Sequence, residues 1–160
     1  METQVNRRLP VGAERLDDGT IAFRVWAPGP HTVELVLENC GGVSGMDMEP
    51  EEDGYYSHVT DVAGSGTHYR YRLDGRDKYP DPASRFQPEG PHGASMVIDA
   101  TAFEWSDASW QGPAQERPVL YEMHIGTFTP EGTWRSGTAH LPELADIGVT
   151  VLELMPVADF

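Results

Sequence analysis

Apolar and polar positions alternate along much of the first hundred residues. In residues 21–26 (IAFRVW), Ile21, Phe23 and Val25 share one face, and Ala22, Arg24 and Trp26 share the other. In residues 32–38, Val33, Leu35 and Leu37 alternate with Thr32, Glu34, Val36 and Glu38. In residues 68–74, Tyr69, Tyr71 and Leu73 alternate with His68, Arg70, Arg72 and Asp74. A period of two means a strand with one buried and one wet face. Turn formers separate these runs: Asp18-Gly19, Pro28-Gly29-Pro30, Gly41-Gly42, Asp53-Gly54, Gly64-Ser65-Gly66 and Asp74-Gly75. Short strands at this spacing predict an all-β, antiparallel immunoglobulin-like sandwich over residues 1–100.

The pattern then changes twice. Residues 79–93 (YPDPASRFQPEGPHG) hold four prolines, which exclude a central strand or a helix interior. A loop of this length serves a function or packs against something else, and the reading preferred here is a clamp between domains anchored by Arg85 and Phe86. Residues 101–118 are polar, with Gly, Pro, Trp105 and Trp110, and read as a linker. Beyond Pro118, residues 119–125 (VLYEMHI) form a short apolar run. Leu141, Leu144 and Ala145 then fall at helical spacing, Pro142 opens that segment, and Gly148 suits its C-terminal cap. Residues 149–156 (VTVLELMP) read as a strand buried on both faces, as in a parallel sheet. Residues 119–160 are therefore expected to form one strand–helix–strand unit.

Composition narrows the function classes. Lys and Arg number 11 and Asp and Glu 26 among 160 residues, a formal charge of −15. That charge disfavours nucleic acid and anionic membrane surfaces as partners. The single cysteine, Cys40, cannot close an internal disulfide, and the N-terminus METQVNRRLP lacks the apolar stretch of a signal peptide. No apolar run approaches the length of a membrane span. A cytoplasmic protein is expected.

The run YEMHIGTF (residues 121–128) resembles the first barrel strand of glycoside hydrolase family 13, the α-amylase superfamily. The run HLPELADIGVTVLELMPVADF (residues 140–160) resembles that family's first helix and second strand. The runs TFTPEGTW (127–134) and DPASRFQPEGPHG (81–93) resemble the maltooligosyltrehalose trehalohydrolases within it. Branching and debranching enzymes of the same family are the nearest alternative, and a non-catalytic α-glucan-binding or docking module is the other. The resemblance implies an E-set type sandwich, then the start of a (β/α)8 barrel. It implies a retaining hydrolase that frees trehalose from maltooligosyltrehalose by cleaving the adjacent α-1,4 glucosidic bond, without a cofactor. Retaining chemistry needs two carboxyl groups about 5 Å apart. In this family they follow barrel strands four and five, and a further Asp follows strand seven. Only strands one and two are expected in residues 119–160, so no catalytic residue maps onto the sequence. The chain stops just past an apolar run and is expected to be an N-terminal fragment, inactive alone, with a folded sandwich and a poorly packed tail.

The residues that draw attention have ordinary explanations. Glu122 and Glu153 lie mid-strand, whereas barrel active sites gather at C-terminal strand ends, so support of packing is the reading taken. His124, nearer such an end, reads as structural. Asp159 and Phe160 follow the second strand and would approach the pocket of a complete barrel. His31, His58, His68, His92 and His140 are scattered without zinc-ligand spacing, and no calcium loop of EF-hand type occurs, so no metal site is expected. Trp26, Trp105, Trp110 and Trp134 suit sugar stacking in principle, and packing is the reading preferred for each. The Gly-rich pieces at 41–45 and 64–66 lack the Lys-Ser/Thr of a phosphate loop and read as hairpin turns.

Overall fold

The computed structural model describes residues 7–39, 45–113 and 117–157. The chain divides into two compact units, Met1–Glu104 and Trp105–Phe160. Cys40, most of the Gly-rich piece at 41–45, Asp159 and Phe160 lie outside the described residues.

The first unit is an antiparallel β-sandwich. One sheet is built from β1 (Gly12–Arg15), β2 (Ile21–Trp26), β5 (Glu49–Pro50) and β6 (Tyr55–Thr60), in the order β1-β2-β6-β5. The other has β4 (Met46–Asp47), β3 (Val33–Leu37), β7 (His68–Leu73) and β8 (Lys78–Tyr79) in that order, and β9 (Ser95–Met96) also pairs with β7. The three alternating runs of the sequence thus become β2, β3 and β7, the long strands at the centre of the two sheets. Their inward sets meet between the sheets: Ile21, Phe23 and Val25 from β2, Val33, Leu35 and Leu37 from β3, and Tyr69 and Tyr71 from β7 are all buried. Phe23 of one sheet meets Tyr69 of the other edge-on at 4.9 Å between ring centroids, a favoured aromatic geometry. Met48, also buried, carries the chain from β4 in one sheet to β5 in the other.

Two positions depart from simple alternation. Val36 and Ala22 point away from the inner faces, yet both are buried. Val36 is the register partner of Arg70 and lies within a ladder of ion pairs: Glu34 with Arg72 at 2.7 Å, and Glu38 with Arg70 at 3.2 Å and Lys78 at 3.0 Å. Long charged side chains cover apolar surface with their stems while their heads stay wet.

The turns follow the sequence signals. Asp53 and Gly54 both hold positive φ (59° and 80°), the conformation that Asp-Gly pairs supply in tight hairpins. A Cβ on Gly54 would lie 2.8 Å from Pro28 Cα, which is backbone and cannot swing aside. Gly54→Ala is therefore expected to destabilise the sandwich by about 1–3 kcal/mol. Gly29→Ala, with nothing within 4 Å of the added carbon, should leave the urea midpoint nearly unchanged. Equal midpoints for the two variants would refute this account.

The second unit pairs β10 (Leu120–Met123) with β11 (Val151–Leu154) in parallel, with Leu120 opposite Val151 and Met123 opposite Leu154. Between them run three short helices, α1 (Ile125–Phe128), α2 (Trp134–Ala139) and α3 (Leu141–Asp146). Thr133 and Ser136 cap α2 reciprocally, and Pro142 sits in the first turn of α3, where a missing N–H costs nothing. Two expectations need correction. The first strand does not reach Ile125: it ends at Met123, and His124 opens α1. Nor are the strands buried on both faces, because only Met123 among their residues is buried. Val and Leu content anticipates covering layers, yet beyond buried Met123 and half-buried Val151 and Leu152 the strand residues are exposed.

Candidate functional site

The outward face of the β1-β2-β6-β5 sheet carries the most developed arrangement of functional groups. At one end the segment before β1 folds over it. Glu14, only 3% exposed, accepts hydrogen bonds from the backbone N–H groups of Arg8 (3.0 Å) and Leu9 (3.1 Å) and from Arg8 Nε (3.1 Å). Burial alone would raise its pKa, but these three donors hold it below the usual carboxylate value. Arg7 donates through Nη2 to the Gly12 carbonyl at 2.7 Å, and burial lowers its pKa. Arg7 Nη1 is buried without a hydrogen-bond partner among the described residues.

At the other end Arg24, Trp26, Tyr55 and Glu51 come together. Arg24 and Trp26 are two residues apart on β2 and therefore share a face. Tyr55 is the cross-strand partner of Trp26. The Arg24 guanidinium lies 3.8 Å from the centroid of the Tyr55 ring, a cation–π contact, and meets Glu51 at 2.8 Å. Arg24 also donates to the Pro10 carbonyl at 2.7 Å. The Trp26 indole donates from Nε1 to the Asp53 carbonyl at 3.0 Å, which fixes the ring over the Asp53-Gly54 turn. Trp26 as a whole remains 57% exposed.

A second polar cluster is internal. Asp81, 2% exposed, accepts from the Tyr69 hydroxyl at 2.7 Å, the Tyr71 hydroxyl at 3.3 Å and the Ala83 N–H at 2.8 Å, while its own N–H donates to Ser95 Oγ. Burial raises the Asp81 pKa, and these donors offset only part of that rise. Burial and the neighbouring carboxylate raise both tyrosines as well. The cluster is enclosed and offers no surface to a ligand, so its role is to pin the proline-rich segment against β7. Arg85 ties the same segment to β1 of the other sheet and the residue before it, donating to the carbonyls of Ala13 (3.0 Å) and Val11 (3.1 Å). These bonds lie within the sandwich unit.

The remaining singled-out residues are dispersed. Glu122 and Glu153 are register partners on β10 and β11, and both side chains are exposed. The His124 carbonyl accepts from Thr127 and Phe128 in the first turn of α1, and the His140 ring meets Glu143 at 3.1 Å. Among the described residues no group of three or more His, Cys, Asp or Glu is placed to hold a metal ion. Among them, too, no helix is long and apolar enough to cross a membrane. All four tryptophans are exposed, which corrects the sandwich-packing reading of Trp26. That reading fails because the inward places on β2 are taken by Ile21, Phe23 and Val25.

Comparison with known proteins places this architecture. Residues 10–101 match the model of carbohydrate-binding module 48, the isoamylase N-terminal domain. The chain belongs to that family. Similarity extends past the module: curated malto-oligosyltrehalose trehalohydrolases are 32–42% identical to the chain. That of Saccharolobus solfataricus is 42% identical over 146 residues, covering 91% of this chain and 25% of the relative. A 1,4-alpha-glucan branching enzyme of Xanthomonas oryzae pv. oryzae is 32% identical, covering 86% of this chain and 21% of its own length. Among solved structures, a Salmonella typhimurium protein provisionally described as an alpha amylase superposes with a TM-score of 0.87 at 41% identity, covering 94% of this chain and 25% of that one. The module and its flanking residues thus span about a quarter of the length of these relatives.

Proposed function

We propose that this chain is the N-terminal portion of a cytoplasmic trehalohydrolase-type retaining glycosidase of family 13, with the module at residues 1–100, a linker at 101–118 and the opening of a (β/α)8 barrel at 119–160. The whole enzyme would free trehalose from maltooligosyltrehalose, a step in trehalose biosynthesis. The observation that carries this reading is the reach of the similarity: identity to the trehalohydrolases continues beyond residue 101, where the module match ends, through most of the second unit. The parallel pairing of β10 with β11 across intervening helices supports it as well, since parallel neighbours require such a crossover.

In this reading the module presents α-glucan, and the acid and the nucleophile lie on later strands. Glu122 and Glu153 support the barrel rather than cleave the bond. The two would-be catalytic partners are held on neighbouring strands at matched register, and both are exposed. Electrostatic stabilisation of a glycosyl transition state needs a dry, shaped cavity.

Two assays test this proposal. The purified 160-residue chain should release no trehalose from maltotriosyltrehalose, and detectable release would refute its inactivity. A chimera carrying this chain in place of the matching N-terminal quarter of the Saccharolobus solfataricus relative should release trehalose. A folded chimera that instead forms branches on amylose would favour the branching-enzyme reading.

A further inference from the structure

We propose that the Trp26 end of the outward β1-β2-β6-β5 face is the site at which this module holds an α-1,4-glucan, with Trp26 as the stacking platform and the Arg24–Glu51 pair as its hydroxyl-binding rim. The proposal rests on the carbohydrate-binding reading above and adds the surface that performs it.

Three observations point to this surface. The first is the state of the indole: its one polar atom is bound to the Asp53 carbonyl, and the residue is more than half exposed. What Trp26 exposes is therefore carbon, presented in a fixed orientation. A platform fixed before binding loses little freedom when a ligand arrives. The second is the neighbourhood. Arg24 lies about 7 Å along the strand from Trp26, held by Glu51 on one side and the Tyr55 ring on the other. These groups offer donors and acceptors beside an apolar plate. A pyranose has the same division, with C–H groups on its ring face and hydroxyls around its edge.

The third observation separates a sugar from a protein partner. Acidic side chains are depleted from the cores of protein interfaces, whereas Glu51 stands on this face, paired to Arg24. The other three tryptophans lie outside the residues that match the carbohydrate-binding module: Trp105 and Trp110 follow it, and Trp134 begins a six-residue helix. Tyr55 is not a second platform, because Arg24 already covers one side of its ring. Its part is to hold the guanidinium at the height of the bound sugar.

The test is titration of the 160-residue chain with maltoheptaose, followed by calorimetry and by backbone amide shifts. Wild type is expected to bind in the millimolar to micromolar range, with the largest shifts at residues 24–26 and 51–57. Trp26→Ala should weaken binding at least tenfold, Glu51→Gln a few fold, and Trp110→Ala less than twofold. The wild-type shift map does not depend on any variant folding, and Trp26→Phe keeps an aromatic ring if the alanine variant unfolds. Binding with shifts elsewhere, or with Trp26→Ala within twofold of wild type, overturns this site and leaves the carbohydrate-binding reading intact. No binding by wild type at about 10 mM maltoheptaose overturns both.

Discussion

Replacing Phe23 with alanine is expected to remove about 3–5 kcal/mol from the stability of the sandwich. Phe23 is fully buried at the centre of β2, and its ring is the bridge from one sheet to Tyr69 in the other. Truncation loses both the transferred area and the edge-on aromatic contact, and it leaves a cavity between two sheets whose separation is fixed by their other side chains. A domain of this size is stable by only about 5–15 kcal/mol, so a large part of the margin is lost. Urea unfolding followed by circular dichroism checks this: the midpoint should fall with little change in slope. Val59→Ala, an exposed position on the outward face of β6, should fall within about 0.5 kcal/mol of wild type. A Phe23→Ala cost below about 1 kcal/mol would mean that the sheets are not held together at this point.

The second large effect concerns Asp81. Asp81→Ala strips the acceptor from two buried tyrosine hydroxyls and from the Ala83 N–H at once. Each orphaned buried group costs about 1–3 kcal/mol, and removal of an unfavourably buried charge returns part of that. A net loss of about 2–5 kcal/mol is expected. Asp81→Asn keeps an acceptor for Ala83 and can donate to a tyrosine oxygen, so it should cost much less at neutral pH. The two proteins should also differ in pH dependence. Folding raises the Asp81 pKa, so the fold favours the protonated carboxyl. Its stabilising contribution is complete below the unfolded value of about 3.9 and is lost as pH rises through the folded value. The stability of wild type relative to Asp81→Asn should therefore decline from about pH 4 upward and then level off. A flat difference between pH 4 and pH 8 would show that Asp81 does not titrate differently on folding.

Much of the sandwich was legible because β2, β3 and β7 pair a strict period of two with turn dipeptides at their ends. Strand β6 was harder to see, since adjacent Tyr55 and Tyr56 blur the alternation that places Tyr56 inward and Tyr55 outward. Strand β1 could not be read from apolar pattern at all. Its outward Glu14 is buried by residues five and six positions earlier, a fact of chain path rather than of local periodicity. The aromatic site was half visible. Alternation put Arg24 and Trp26 on one face, but their partners Tyr55 and Glu51 arrive from another strand, and pairing register is a tertiary outcome. In the second unit the helix signals at Pro142 and Leu144 held, because capping and periodicity are local. The burial forecast for β10 and β11 did not, because burial belongs to whatever layer covers a strand.

The segment that lies over Glu14 also bears on where the module starts. The match to the carbohydrate-binding module begins at residue 10, yet the donors that keep Glu14 charged come from Arg8 and Leu9, and Arg7 grips the Gly12 carbonyl. A clone trimmed to the similarity boundary would keep every strand and strip a buried carboxylate of its counter-charges. The electrostatic edge of this domain thus precedes the start of its module match by three residues, and an excised module needs Arg7 as its first retained position.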